Sequence, residues 1–254
     1  MKRLIVIITS VLLIVFISFA YYKTSSQKEV VNGAPPYSQE DLDPPNDDVY
    51  SWLRGWRRPE GPAKVALQVG HFRSHEFPDE LKRLRGNTGS SGGGKLESEV
   101  NMVIATLTAE ILKQKGVEVE ILPATIPEKY LADVFVAIHA DGAEDKSKNG
   151  FKLSSPRRDY SGNAKTLLNF IEEDYQRSTN LEIDPNVTRN MRGYYAFAWW
   201  RYDHAVHPMT ASVILETGFL SSPHDRKVIV NKPELSASGL ALGILKYLVS
   251  EDLL

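Results

Sequence analysis

Hydrophobic and polar positions change period several times along the chain, and each change marks an element. Leu4–Ala20 is apolar except at Thr9, Ser10 and Ser18, a length where signal-peptide cores and membrane-spanning helices overlap. Ala63–Val69 reads as a strand running into Gly70-His71, and Phe72–Lys95 reads as a loop closing on a Gly/Ser-rich stretch. From Leu96 to Lys115 apolar residues recur at helical spacing (Val100, Val103, Ile104, Leu107, Ile111, Leu112) until Gly116 stops the helix. Val117–Leu122 alternates like a strand. Val134–Ile138 is five apolar residues in a row, too few for a helix and too uniform for a half-exposed strand. Such a run fits a strand buried on both faces of a helix-covered sheet.

The same reasoning predicts a buried strand over Ser212–Leu215 and another strand over Gly150–Ser154. Asn163–Gln176 is predicted helical, with Leu167, Leu168, Phe170 and Ile171 inward, and helices near His224–Asn231 and Glu234–Ser250 close the chain. Thr188–His207 is aromatic without a clear period. Alternating strands and helices predict an α/β fold, a three-layer sandwich with a largely parallel sheet and helices on both faces.

Three segments follow from this pattern. Lys2 and Arg3 before the apolar run favour an amino terminus left in the cytoplasm. Residues 1–22 are therefore expected to be an uncleaved membrane anchor, with Tyr21-Tyr22 at the interface, rather than a signal cleaved after Ser18-Phe19-Ala20. Either way the rest of the chain is expected outside the cytoplasmic membrane, in the cell envelope. Residues 23–60 comprise a linker rich in Ser, Gln, Pro, Asn and Asp and an arm, Tyr50–Arg58, with two tryptophans and three arginines. The arm is expected to dock on the folded domain, which should span residues 61–254.

Composition narrows the chemistry. A net charge of −2 gives no electrostatic case for nucleic acid. The chain has no cysteine, so disulfides, thiolate nucleophiles and Cys-ligated zinc are excluded, and any metal site must use His, Asp and Glu.

Three apolar strands end in residues suited to such chemistry: Val69 leads to His71, Ile138 to His139 and Leu215 to Glu216. In a parallel sheet these gather along the carboxyl edge, where α/β proteins bind ligands. The first turn of the Leu96 helix adds Glu97 and Glu99. At about 100° per residue, Glu97 shares a face with Val100, Ile104, Leu107 and Ile111, whereas Glu99 points to solvent. An inward carboxylate needs a partner. Two histidines and one carboxylate from separate elements, with a fourth position open, are a common arrangement for catalytic zinc. Glu216 is then left as the proton-transfer group. His204 and His207, spaced i, i+3, form a second possible ligand pair if Trp199–His207 is helical, and His75 is expected near the site mouth.

These residues also carry a resemblance. Val-Gly-His71, Glu97-Ser-Glu-Val-Asn-Met, Phe-Val-Ala-Ile-His139-Ala-Asp and Val-Ile-Leu-Glu216-Thr-Gly-Phe-Leu-Ser-Ser-Pro resemble, in order, the signature segments of zinc-dependent N-acetylmuramoyl-L-alanine amidases. The resemblance covers roughly Lys64 to Tyr247. It implies a mixed, mostly parallel sheet, one Zn2+ held by His71, Glu97 and His139, a catalytic Glu216 and peptidoglycan as substrate. Two rivals remain: a zinc hydrolase of the same fold acting on a different amide or peptide, and a non-catalytic wall-binding or regulatory domain.

Overall fold

The computed structural model describes Leu53 and residues 55–254. The predicted anchor, the linker and most of the first half of the arm lie outside the described residues. No helix among the described residues is long and apolar enough to cross a membrane.

Five strands form the central sheet in the order β4-β1-β5-β7-β6: β1 (Lys64–Val69), β4 (Glu118–Leu122), β5 (Val134–Asp141), β6 (Lys152–Ser154) and β7 (Ala211–Phe219). A short antiparallel pair, β2 (Ser91–Gly92) and β3 (Lys95–Leu96), stands apart. The first four sheet strands are parallel, and β6 runs antiparallel along β7, so the sheet is mixed and mostly parallel. β5 is buried from Val134 through Ala140, as an unbroken apolar run in the middle of a covered sheet should be.

The helices are α1 (Glu97–Lys113), α2 (Ala164–Thr179), α3 (Arg189–Arg192), α4 (Arg226–Ile229) and α5 (Pro233–Ser250). At the start of α1 the Glu99 carboxylate accepts from the Leu96 N–H at 3.0 Å, half of a capping box. Just beyond its end, Gly116 adopts φ 83°, the left-handed stop that glycine supplies. Helices α2 and α5 approach very closely. A Cβ on Gly239 would lie 2.7 Å from the Tyr175 Cα, and one on Gly243 would lie 2.5 Å from the Ile171 Cα.

Both faces of the sheet are covered, by unequal layers. Val65, Leu67, Val136, Ile138, Val213 and Leu215 pack with the long helices α1, α2 and α5. On the other face, Ala66, Phe135, Ala137 and Ile214 meet Phe77, Leu81, Ile126, Tyr195 and Phe197. That second layer consists of loops, 3-10 turns and the four-residue α3. The aperiodic stretch 188–207 belongs to it, which explains why no helical spacing appears there. The predicted helix near His224–Asn231 shrinks to α4.

Residues 55–58, the described end of the arm, lie at the sheet's amino end. Arg58 donates from Nε and a terminal nitrogen to the Asp133 carboxylate at 2.6 and 2.8 Å. The Trp56 ring lies 5.7 Å from that of His207.

Candidate metal centre

Four elements deliver the candidate side chains. After β1 the Gly70 N–H donates to the Ile138 carbonyl at 2.9 Å, tying the turn to the end of β5. A Cβ on Gly70 would sit 2.5 Å from a His139 ring carbon, so only glycine lets this turn approach the imidazole. His71 follows with φ 62°. For a residue other than glycine this costs about 1–3 kcal/mol, and such strain is stored preferentially at functional sites. Gly89, with φ 71°, passes over the other side, where a Cβ would collide with both the Glu97 carboxylate and the His71 ring.

Glu97 opens α1 and is only 3% exposed, whereas Glu99 is exposed, as the helical geometry requires. The Glu97 carboxylate accepts from the backbone N–H of Ser90 at 2.7 Å and of Ala140 at 3.1 Å. Its Oε1 lies 2.9 Å from His139 Nδ1 and 3.6 Å from His71 Nε2. Burial alone would raise its pKa. The His139 hydrogen bond and the positive potential of both imidazoles outweigh burial and hold Glu97 at about 2.

Burial pulls His71 below the usual histidine value, more than Glu97 restores. For His139 burial acts the same way, but the Glu97 hydrogen bond and charge win and raise it. One donor atom from each of His71, Glu97 and His139 lies within 4.8 Å of the others, a grouping that can hold a metal ion.

Glu216 stands opposite His139 in the β5–β7 register, and that register shifts between His139 and Asp141. Irregularities of this kind re-aim side chains beside functional sites. The Glu216 Oε2 is buried without a hydrogen-bond partner among the described residues. Burial pushes its pKa up to about 7, although His139 acts to lower it. On its other flank β6 places Lys152, a buried ammonium paired with Asp141 at 2.6 Å and Asp184 at 2.9 Å. Two clefts, of about 590 and 430 Å³, share His71, His139, Asp141 and Glu216. Ser90 and Ser221 wall the first, and Phe77, Arg83 and Tyr194 wall the second.

The remaining histidines stay outside this cluster. His75 is exposed beside Glu76 and lines neither cleft. Trp199–His207 is not helical, so His204 and His207 form no ligand pair: His204 meets Glu80 at 2.8 Å, and His207 stacks with the arm. His224 meets Asp225. Sequence reasoning passed over Gln68, Gly89, Lys152 and Asp184, and found no clear period in the aromatic stretch that holds Tyr194. Gln68 carried a readable signal as the one polar residue inside the buried part of β1. Gly89 and Asp184 lie in loops whose course no periodicity reveals.

A mixed α/β sheet that gathers along one rim a His–Glu–His set able to hold a metal ion and a carboxylate oxygen without a partner among the described residues is the outline of a hydrolase. Residues 65–246 match the family model described as N-acetylmuramoyl-L-alanine amidase. The match spans more than half of the chain, which therefore belongs to that family of peptidoglycan-acting enzymes of the cell wall.

Among solved structures, the chain is similar to the apo form of the amidase Ami1 from Mycobacterium abscessus, at 19% identity over 73% of this chain and 98% of that one, with TM-score 0.54. It is similar to the amidase AmiC2 of Nostoc punctiforme, at 21% identity over 75% and 99%, with TM-score 0.53. It is also similar to the catalytic domain of the amidase CwlV from Bacillus (Paenibacillus) polymyxa, at 21% identity over 74% and 98%, with TM-score 0.50. At such identities the likeness speaks to the fold. No curated protein matches the chain significantly.

Proposed function

We propose that His71, Glu97 and His139 hold one Zn2+ and that Glu216 is the catalytic acid–base in cleaving the amide between N-acetylmuramic acid and L-alanine of the peptidoglycan stem peptide. One observation carries this reading: three donor atoms within 4.8 Å of one another, beside a buried carboxylate oxygen that has no partner among the described residues. The donor chemistry fits zinc, which takes imidazole nitrogen and carboxylate oxygen and in catalytic sites keeps a position open for substrate or water. When bound, the ion polarises the scissile carbonyl and brings the pKa of a water at the site from 15.7 to about 7.

The chain's own groups supply the rest. Glu216, with its pKa near 7, takes a proton from the attacking water and returns it to the departing amine of L-alanine. A base tuned close to the working pH contributes roughly 10²–10⁴-fold. The backbone N–H groups of Ser90 and Ala140 keep Glu97 ionised and aimed at the metal. We take residues 61–254 as the catalytic domain. Residues 1–22 and 23–60, read as anchor and linker with arm, fit delivery to an extracytoplasmic wall polymer.

The test is a digest of purified peptidoglycan by the zinc-loaded protein. New amino-terminal L-alanine without new reducing sugar ends is the expected product. Release of a different amine supports the rival peptide specificity instead. No release at all, with zinc bound, leaves only a non-catalytic wall-binding role.

A further inference from the structure

An imidazole that grips an ion with one nitrogen must dispose of the N–H on the other, and that second partner fixes tautomer and orientation. His71 does this simply, with Nδ1 2.9 Å from the Asn87 carbonyl and Nε2 left toward Glu97. In His139 the roles are reversed, since Nδ1 faces Glu97 and Nε2 lies 3.3 Å from the Tyr194 hydroxyl. A hydroxyl can donate or accept, so by itself Tyr194 would fix nothing.

The groups behind Tyr194 remove that freedom. Its hydroxyl donates to Gln68 Oε1 at 2.8 Å. Gln68 is fully buried, and its Nε2 donates to the Ala124 carbonyl and to the Tyr195 hydroxyl, each at 2.7 Å. The Tyr195 hydroxyl itself donates to the Ala124 carbonyl. A backbone carbonyl only accepts. Ala124 therefore demands the amide NH2 of Gln68, which turns the Gln68 oxygen toward Tyr194. The Tyr194 proton is thereby committed to Gln68, leaving its oxygen lone pairs for an N–H on His139 Nε2. The Tyr194 ring meets the His139 ring edge-on at 5.5 Å and 83°, which holds the imidazole plane as well.

We propose that Tyr194, set by Gln68 and the Ala124 carbonyl, is a positioning residue that keeps the proton of His139 on Nε2 and so presents Nδ1 to the metal. This rests on the metal reading above. It extends the site from three donors to a polar chain crossing β1 into the second layer, and gives Gln68 a reason to be polar inside an otherwise apolar strand segment.

The test compares two neighbouring phenols in the full-length protein. Tyr194→Phe removes the acceptor at His139. Tyr195→Phe removes an equally well-bonded hydroxyl but leaves Gln68 anchored on Ala124. Zinc affinity is read by chelator competition, and ligand geometry by the visible absorption of the Co2+-loaded protein. Tyr194→Phe should weaken zinc binding about 10–100-fold and shift the cobalt spectrum. Tyr195→Phe should leave both within about threefold of wild type, the remaining hydrogen bond holding Gln68 in place.

Gln68→Met is the second probe should Tyr194→Phe not fold, and it should also weaken zinc binding about 10-fold. Wild-type zinc affinity and cobalt spectrum in whichever of Tyr194→Phe and Gln68→Met folds would overturn the proposal, as would equal losses in Tyr194→Phe and Tyr195→Phe, which would indicate general packing. Wild-type protein that binds no zinc would sink the metal reading itself, a failure distinct from this one.

Discussion

The two ends of β5 treat charge in opposite ways. At the amino end Asp133 accepts from two nitrogens of Arg58 and from the Lys64 N–H at 2.7 Å. At the carboxyl end, one strand-length away, two imidazoles converge on a single carboxylate, His71 sits in the left-handed region, and Glu216 Oε2 has no partner among the described residues. A folded chain pairs the large majority of its buried polar groups. The satisfied carboxylate therefore reads as architecture, and the unsatisfied one as chemistry waiting for a ligand.

The largest effect should come at the unsatisfied end. Glu216→Gln is expected to lower kcat by about 10²–10⁴-fold while zinc per protein, measured by metal analysis, stays at the wild-type value. Loss of zinc along with the rate would make Glu216 a ligand and erase the contrast with the His–Glu–His set.

A smaller effect concerns the pH dependence of stability in metal-free protein. Glu216 is raised to about 7 against a usual 4.5, so between these values the folded state holds a proton that the unfolded state has released. Stability must then fall as pH rises from about 4.5 to about 7, by on the order of 3 kcal/mol at most. Glu97, lowered to about 2, acts in a separate window: its contribution is complete above about 4.5 and is lost as pH falls toward 2. Denaturant titrations at several pH values should show the decline above 4.5 in wild type and a flatter profile in Glu216→Gln. Equal slopes in the two proteins would contradict the assignment.

The smallest effect belongs to the satisfied end. Arg58→Ala should cost about 1 kcal/mol, since the pair is partly exposed, and lower Tm by roughly 2–4 °C. Zinc affinity and turnover should not move. A change in either would show that the arm reaches across the sheet to the site, and the separation of the two ends would have to be abandoned.

Much of this was readable in advance, unevenly. The helical face was legible because Val100, Ile104 and Leu112 bury one stripe of α1 and leave Glu99 in water, so a single period encoded both packing and the choice between two glutamates. The strand ends were legible because Val134–Ile138 and Ser212–Leu215 are too apolar to be anything but buried, which places the next polar residue at the rim. The loop-covered face was not. Phe77, Leu81, Tyr195 and Phe197 reach that core from 3-10 turns and loops, and such segments impose no spacing on their apolar residues. His204 and His207 show the same limit, since their i, i+3 spacing matters only on a helix, and the chain there is irregular.

The order of strands and helices, the rim position of His71, His139 and Glu216, and the inward turn of Glu97 were determined by the sequence itself, because local periodicity and burial act over a few residues. Which nitrogen of each histidine faces the carboxylate, which loop glycines clear the space around it, and that Tyr194 and Gln68 stand behind His139 were decided only in the tertiary structure. These are contacts between residues far apart in the chain (Gln68 with Tyr194, Glu97 with His139, Lys152 with Asp184), and their geometry depends on how whole layers pack, which no local pattern records.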